Sequence, residues 1–211
     1  MRNKIIGTVC LVLGIIVLVS TGTSFAYFSA SIDPSGNDIT GTTMNFDVDL
    51  TLEETYKATN LVPLEDNLIL TAAKNNCKDS YGYEVCSLYK ITLTNNGDPQ
   101  ILNAHITATE GTDYITDHLK GQLISEDLSK TISGVLTLTD DKEINLDTKK
   151  YFHIDDKNLY TTEVVTNNTL YMAIWLTETH DFQNDDYNKD YFGSIAFESI
   201  SGEMVTATFN S

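Results

Sequence analysis

The chain opens with a basic start, Arg2 and Lys4, followed by an almost unbroken apolar run of 15 residues from Ile5 to Val19. Beyond it the pattern changes to short stretches of alternating apolar and polar residues, the period of half-buried strands. Asn45-Phe-Asp-Val-Asp-Leu-Thr-Leu52 and Leu88-Tyr-Lys-Ile-Thr-Leu93 alternate in this way, and so does Ile101 to Thr109. Val135 to Thr139 is a further strand candidate. Val164-Val165, the turn-prone Asn167-Asn168 and Leu170 to Leu176 read as a hairpin. Ser194 to Ser199, Ser201-Gly202-Glu203 and Met204 to Phe209 read as a final one. Asn95-Asn-Gly-Asp-Pro99 turns the chain between two strands. Helical spacing is confined to Asp113–Leu123, where Tyr114, Leu119 and Leu123 are apolar and Gly121 weakens the pattern. Lys57 to Thr71 reads as a long connection or an irregular strand. Tyr171-Met-Ala-Ile-Trp-Leu176 is apolar at every position and reads as a central strand of the core. Together these elements predict an all-β, jelly-roll-like two-sheet sandwich with one short helix.

The opening segment is a leader rather than part of the fold. The apolar run is short for a membrane span, which needs about 20 residues. It is followed by Ser24-Phe25-Ala26, small residues at the two positions a signal peptidase reads. The expected division is a signal peptide over 1–26 cut between Ala26 and Tyr27, an N-terminal extended segment over 27–42, and a sandwich domain over 43–211. Membrane contact is expected before cleavage only.

Charge narrows the partners. The chain carries 13 basic and 30 acidic residues, a net of −17. Removing Arg2 and Lys4 with the leader leaves 11 lysines against 30 acids, a net of −19, and no arginine. Nucleic-acid binding rests on Lys and Arg neutralising phosphates, so it is not expected. Self-association is opposed by this charge until salt or divalent cations screen it.

Cys77 and Cys86 are the two cysteines left in an exported chain, and in an oxidising compartment they most simply pair. The bridge would close a loop carrying Tyr81 and Tyr83, an aromatic-tipped contact surface or a packed loop.

Several motifs resemble the TasA/camelysin family of exported bacterial proteins, which a dedicated signal peptidase, SipW, cleaves. The family boundary reads roughly Gly-Thr-x-Ala, then aromatic-Phe-Ser/Asn-Asp. Gly22, Thr23, Ala26, Tyr27, Phe28 and Ser29 fit it, and Ala30 departs from it. Thr43 to Leu50 resembles the family's first strand, and Tyr89 to Gly97 its strand ending in Asn-Asn-Gly. Trp175 to Glu178, Gln183 to Asp186 and Phe192 to Glu198 resemble its C-terminal block. The resemblance implies a jelly-roll-like domain secreted to the outside or surface of a Gram-positive-type bacterium. It implies a subunit or accessory of biofilm-matrix fibres, with a SipW-type peptidase, its own copies or related matrix proteins as partners. It further implies joining of subunits through an N-terminal strand, here Tyr27, Phe28 and Ile32, with Gly36 and Gly41 as flexible points. The alternatives are a camelysin-like secreted metallopeptidase and a cell-surface adhesin or ligand-binding sandwich.

Chemistry is sparse. The zinc-helix signature sets two histidines four apart, whereas the closest pair among His105, His118, His153 and His180 is 13 apart. No Gly-x-Ser-x-Gly turn or other nucleophile signature appears, and no catalytic residue is assigned. Asp181, Asp185 and Asp186, in a loop with Asn184 and Asp190, are the calcium candidates. Their order lacks the alternation of the helix-loop-helix calcium site, and a solvated loop is the plainer reading. The expected protein is a secreted structural one without a cofactor.

Overall fold

The computed structural model describes residues 28–32, 39–108, 112, 118–138, 142–143, 152–155, 159–161, 165–166, 168–179, 183–186 and 189–211. It divides into two units, Met1–Met44 and Asn45–Ser211. The leader, the Ala26–Tyr27 junction and Tyr27 lie outside the described residues.

In the first unit, β1 (Phe28–Ile32) and β2 (Ile39–Thr43) form a two-stranded antiparallel sheet. Phe28 faces Thr43 and Ile32 faces Ile39 in its register. Of the segment expected over 27–42, residues 28–32 and 39–42 are described as strand and pair within the chain, while 27 and 33–38 lie outside the described residues. Gly41 is a strand residue opposite Ala30, and Gly36 lies outside the described residues.

The second unit is a two-sheet β-sandwich, as the alternating pattern predicts. Among the described residues one sheet has five strands, in the order β3 (Val48–Tyr56), β4 (Cys86–Asn95), β12 (Thr169–Leu176), β6 (Leu119–Ser125) and β7 (Leu136–Thr137). The other has seven. Its path runs β11 (Val165–Thr166), β10 (Leu159–Tyr160), β9 (Phe152–Ile154), β5 (Gln100–Ala108), β13 (Phe192–Ser199) and β14 (Met204–Asn210), with β8 (Lys142–Glu143) also on β5. All strand pairs within the two sheets are antiparallel.

Between the sheets lies the main core. The inward positions of β4 give Tyr89, Ile91 and Leu93, those of β12 give Leu170, Met172, Ile174 and Leu176, and β5 supplies Leu102, Ala104 and Ile106. Tyr89 and Tyr191 carry polar tips into this core, and the tips satisfy each other. The Tyr89 hydroxyl donates to the Asn210 carbonyl at 2.6 Å and sits 3.0 Å from the Tyr191 hydroxyl, which therefore donates to it. Phe209 packs beside both rings, at 5.5 and 6.3 Å between centroids.

The helix predicted over Asp113–Leu123 is corrected where it is described; 113–117 lie outside the described residues. Leu119 to Leu123 lies in strand β6, where Leu119, Gly121 and Leu123 form one face and Leu119 and Leu123 enter the core. The six-residue helix α1 (Ile69–Lys74) starts at the end of the stretch read as a connection or irregular strand and runs past it, just after a 3₁₀ turn at Asp66–Leu68. The predicted hairpin from Val164 to Leu176 is also corrected. Asn168 takes a left-handed φ of 60°, but β11 pairs with β10 whereas β12 pairs with β4 and β6. The chain thus passes from one sheet to the other between Thr166 and Thr169. The Asn95-to-Pro99 turn does the same between β4 and β5. There Gly97 is required by a close approach: a Cβ would lie 2.3 Å from the Asn45 carbonyl oxygen.

Burial pushes the Tyr89 hydroxyl up to about 12 and raises Tyr191 well above its ordinary 10. The folded state thus holds protons that the unfolded chain releases near pH 10, so this stabilisation is complete below pH 10 and lost as pH climbs through about 12. Tyr191→Phe should cost about 1 kcal/mol at pH 7, the worth of one hydrogen bond. It should also shrink the loss of stability between pH 10 and 12, read by urea unfolding at each pH. An unchanged alkaline loss would show that the phenols are not its source.

Candidate functional site: a stapled outer layer and an open sheet edge

The outer face of the five-stranded sheet carries a second, smaller core. Ala173 and Trp175 of β12, Leu88 of β4 and Ile124 of β6 point away from the first core and meet Ile69, Ala72 and Ala73 of α1, with Cys77 and Val85. Trp175 is fully buried, and its indole Nε1 donates to Asp66 Oδ1 at 2.9 Å. The same oxygen accepts from Thr177 Oγ1 at 2.7 Å. A buried indole needs such an acceptor, and Asp66 supplies it from the turn that starts α1.

Cys77 and Cys86 are bonded, with Cα atoms 4.9 Å apart, as the export reading expected. Both are fully buried. Asn76 and Cys77 adopt left-handed φ values of 54° and 56°, a conformation with a cost for residues bearing a Cβ. The bridge holds it together with backbone bonds from Cys77 N to Ala72 O at 2.8 Å and from Val85 N to Cys77 O at 2.9 Å. At the tip, Asp79 Oδ1 accepts from the amides of Tyr81 and Tyr83, both at 2.8 Å. The two rings stay outside, with Tyr81 85% and Tyr83 60% exposed. On the far side of the loop, Glu84 accepts from the Thr59 amide, the Tyr56 hydroxyl and the Thr59 hydroxyl. These bonds, with the Thr59 amide foremost, hold its carboxyl below the usual glutamate range.

Of the calcium candidates, the two described ones do not share a site. Asp185 is exposed, Asp186 is buried, and Asp181 lies outside the described residues. Asp186 turns inward to His118, whose Nδ1 is 2.5 Å from its Oδ2. His105 Nε2 lies 3.3 Å from Glu198 Oε2, and His153 stacks on Tyr160 with centroids 5.1 Å apart. His180 lies outside the described residues. Among the described residues no three His, Cys, Asp or Glu side chains form a group that could hold a metal ion.

The two long edges of the sandwich are unlike. β3, at the end of the five-stranded sheet, carries Asp49, Glu53 and Glu54, all exposed, and such charge protects an edge from pairing. β14, at the end of the other sheet, is Met-Val-Thr-Ala-Thr-Phe-Asn, without a charge. Ser199 N donates to Glu203 O at 2.7 Å, so by alternation the amides of Met204, Thr206 and Thr208 point away from β13. Phe28 and Ile32, expected at the assembly surface, lie in β1 of the other unit.

No protein-family model matches the chain, and no curated protein sequence matches it. Among solved structures, the chain is similar to the collagen-binding subdomain of the Enterococcus faecalis surface protein ACE. The identity is 9%, the TM-score 0.23, and the match covers 62% of this chain and 88% of that one. A likeness this slight assigns no ligand.

The disulfide generates a direct prediction. Thiol titration of the unfolded, non-reduced protein should find no free thiol from Cys77 or Cys86. Replacing both by alanine should cost about 2–3 kcal/mol in denaturant unfolding. Two titratable thiols, or an undisturbed midpoint, would remove the staple from the account.

Proposed function

We propose that this chain is an exported, non-enzymatic structural protein that joins extracellular matrix fibres by strand exchange. The reading rests on two separate observations: an uncharged β14 at the end of its sheet, and an N-terminal unit whose residues 28–32 and 39–43 are already strands. An isolated two-stranded ribbon is marginally stable in water. Leaving β2 for the Met204–Thr208 part of this edge on another copy therefore loses little and gains a ladder, the Asn210 carbonyl being already taken by Tyr89. Removal of the leader licenses the exchange, because an apolar leader fused to Tyr27 and held at the membrane keeps the segment away from an edge on another copy. The buried disulfide supports a role outside the cell, where such bonds persist. The acidic surface keeps copies apart until cations screen it.

Chains starting at Tyr27 and at Asn45 separate this reading from a bland one. The longer chain should form fibres visible by electron microscopy, increasingly so with salt or divalent cations, and the shorter chain should stay monomeric. Thr208→Pro, which deletes an outward amide and leaves the ladder to β13 intact, should abolish fibres while the monomer still folds. Equal polymerisation of both chains would sink the strand-exchange reading.

A further inference from the structure

The outer layer carries a groove that neither core packing nor the β14 edge uses. It lies between α1 and the stapled loop and measures about 480 Å3, a size that suits a small ligand. Leu68, 45% exposed, forms its aliphatic side, and the Tyr81 ring, 85% exposed, stands on the loop side. The loop is fixed in advance. The disulfide ties it to β4, Asp79 Oδ1 holds the amides of Tyr81 and Tyr83, and Asn75 Nδ2 donates to Lys78 O at 3.1 Å. A tyrosine presented from such a loop meets a ligand with little left to order.

The hydrogen-bonding groups of the groove narrow the ligand's chemistry. The amides of Asn75, Lys78, Asp79, Tyr81, Gly82 and Tyr83 are all bonded within α1 and the loop. An extended peptide needs such amides to add as a strand, and an anion needs them as a nest. Anions are further opposed by the chain's net charge of −17 and by a lining in which Glu65 and Asp79 outnumber Lys78. What the groove offers is oxygen: the Glu65 carboxylate, the Thr71 and Ser80 hydroxyls and the Asn75 side-chain carbonyl. Glu178 borders it too but has its own partner within the protein, so nothing in the site depends on it. Oxygen acceptors call for a ligand rich in hydroxyl donors. An exposed ring with an aliphatic neighbour calls for one with a flat C–H face. A neutral sugar ring carries both.

We propose that this groove binds a neutral oligosaccharide of gluco-configured pyranoses, one ring stacked on Tyr81 and its hydroxyls bonded to Glu65 and the polar side chains of the groove. The substituents of such a ring are equatorial, so both of its faces are C–H surface. Positively polarised C–H groups meet the negative face of the phenol ring. The Glu65 carboxylate accepts from sugar hydroxyls in charge-assisted bonds, stronger than those between neutral groups. Because the ligand carries no charge, the acidic surface neither draws nor repels it, and its binding is insensitive to salt. This inference stands apart from strand exchange and holds or fails without it.

The test is an amide-shift titration of the disulfide-bonded protein by NMR with cellotetraose and with tetra-N-acetylchitotetraose. One or both should shift amides of α1 and the loop tip, equally at low and at high salt. Tyr81→Ala should weaken binding about fivefold, and Tyr81→Phe, which keeps the ring, should leave it within about twofold. Glu65→Ala should weaken it about fivefold through loss of the charge-assisted bond. The control Tyr83→Ala removes an exposed ring that does not line the groove and should leave affinity within about twofold. If Tyr83→Ala weakens binding as strongly as Tyr81→Ala, exposed aromatics bind sugar without a site and the groove is wrong. No shift from either sugar would also overturn the proposal. So would shifts at the same amides from acetyl-Leu-Lys-Leu-Lys-Leu-amide, fading with salt, with none from the sugars.

Discussion

Trp175 is the side chain on which the arrangement of layers depends. It sits on β12, the middle strand of the five-stranded sheet, and points away from the sandwich core. A strand with one face on a core and the other toward water would leave an indole exposed there. Here α1, Val85 and the Cys77–Cys86 bridge cover it, and Asp66 takes its only polar atom. Burial of an aromatic of this size contributes on the order of 2–3 kcal/mol. Aspartate at position 66 thereby fixes the start of α1, and α1 fixes one wall of the groove. The stapled loop supplies the other wall, because Cys86 is the first residue of β4, the neighbour of β12.

The sandwich was legible because its strands alternate strictly. β3, β4, β5 and the β13–β14 hairpin all fall where the period-two pattern puts them, and the unbroken apolar run at Tyr171–Leu176 correctly marks a strand buried on both faces. The misread segment shows why spacing alone misleads. Leu119 and Leu123 are four apart, and residues four apart share a face in a helix and in a strand alike. Gly121 between them was the better clue: in β6 a Cβ there would lie 3.2 Å from Ile106 and Leu138 methyls. The real helix escaped notice because six residues give fewer than two turns, too few for an apolar stripe to repeat. Asn168 does take a left-handed φ, but turn chemistry is silent on which sheet receives the chain after it.

The functional features divide in the same way. The Cys77–Cys86 pair was readable from the count of cysteines and the leader. The acceptor role of Asp66 was not, since nothing local distinguishes it from the other acids, and its partners Trp175 and Thr177 are more than 100 residues away. Asp186 reads in sequence as one more surface carboxylate and turns out to be buried against His118. Among 30 acids, those with a structural role are separated from those that only solvate by contacts across the fold.

Native-state hydrogen exchange tests the two-faced burial of β12 most directly. If Trp175 and the disulfide make the outer layer part of the folded unit, the amides of Cys77 and Val85, which bond to Ala72 O and Cys77 O, should exchange only through near-global opening. They should then match the slowest amides of β12, and Trp175→Ala should accelerate them far more than the amides of β13. Cys77 and Val85 exchanging at solvent-like rates while β12 stays protected would contradict this, and would make α1 and the loop a loosely attached insertion.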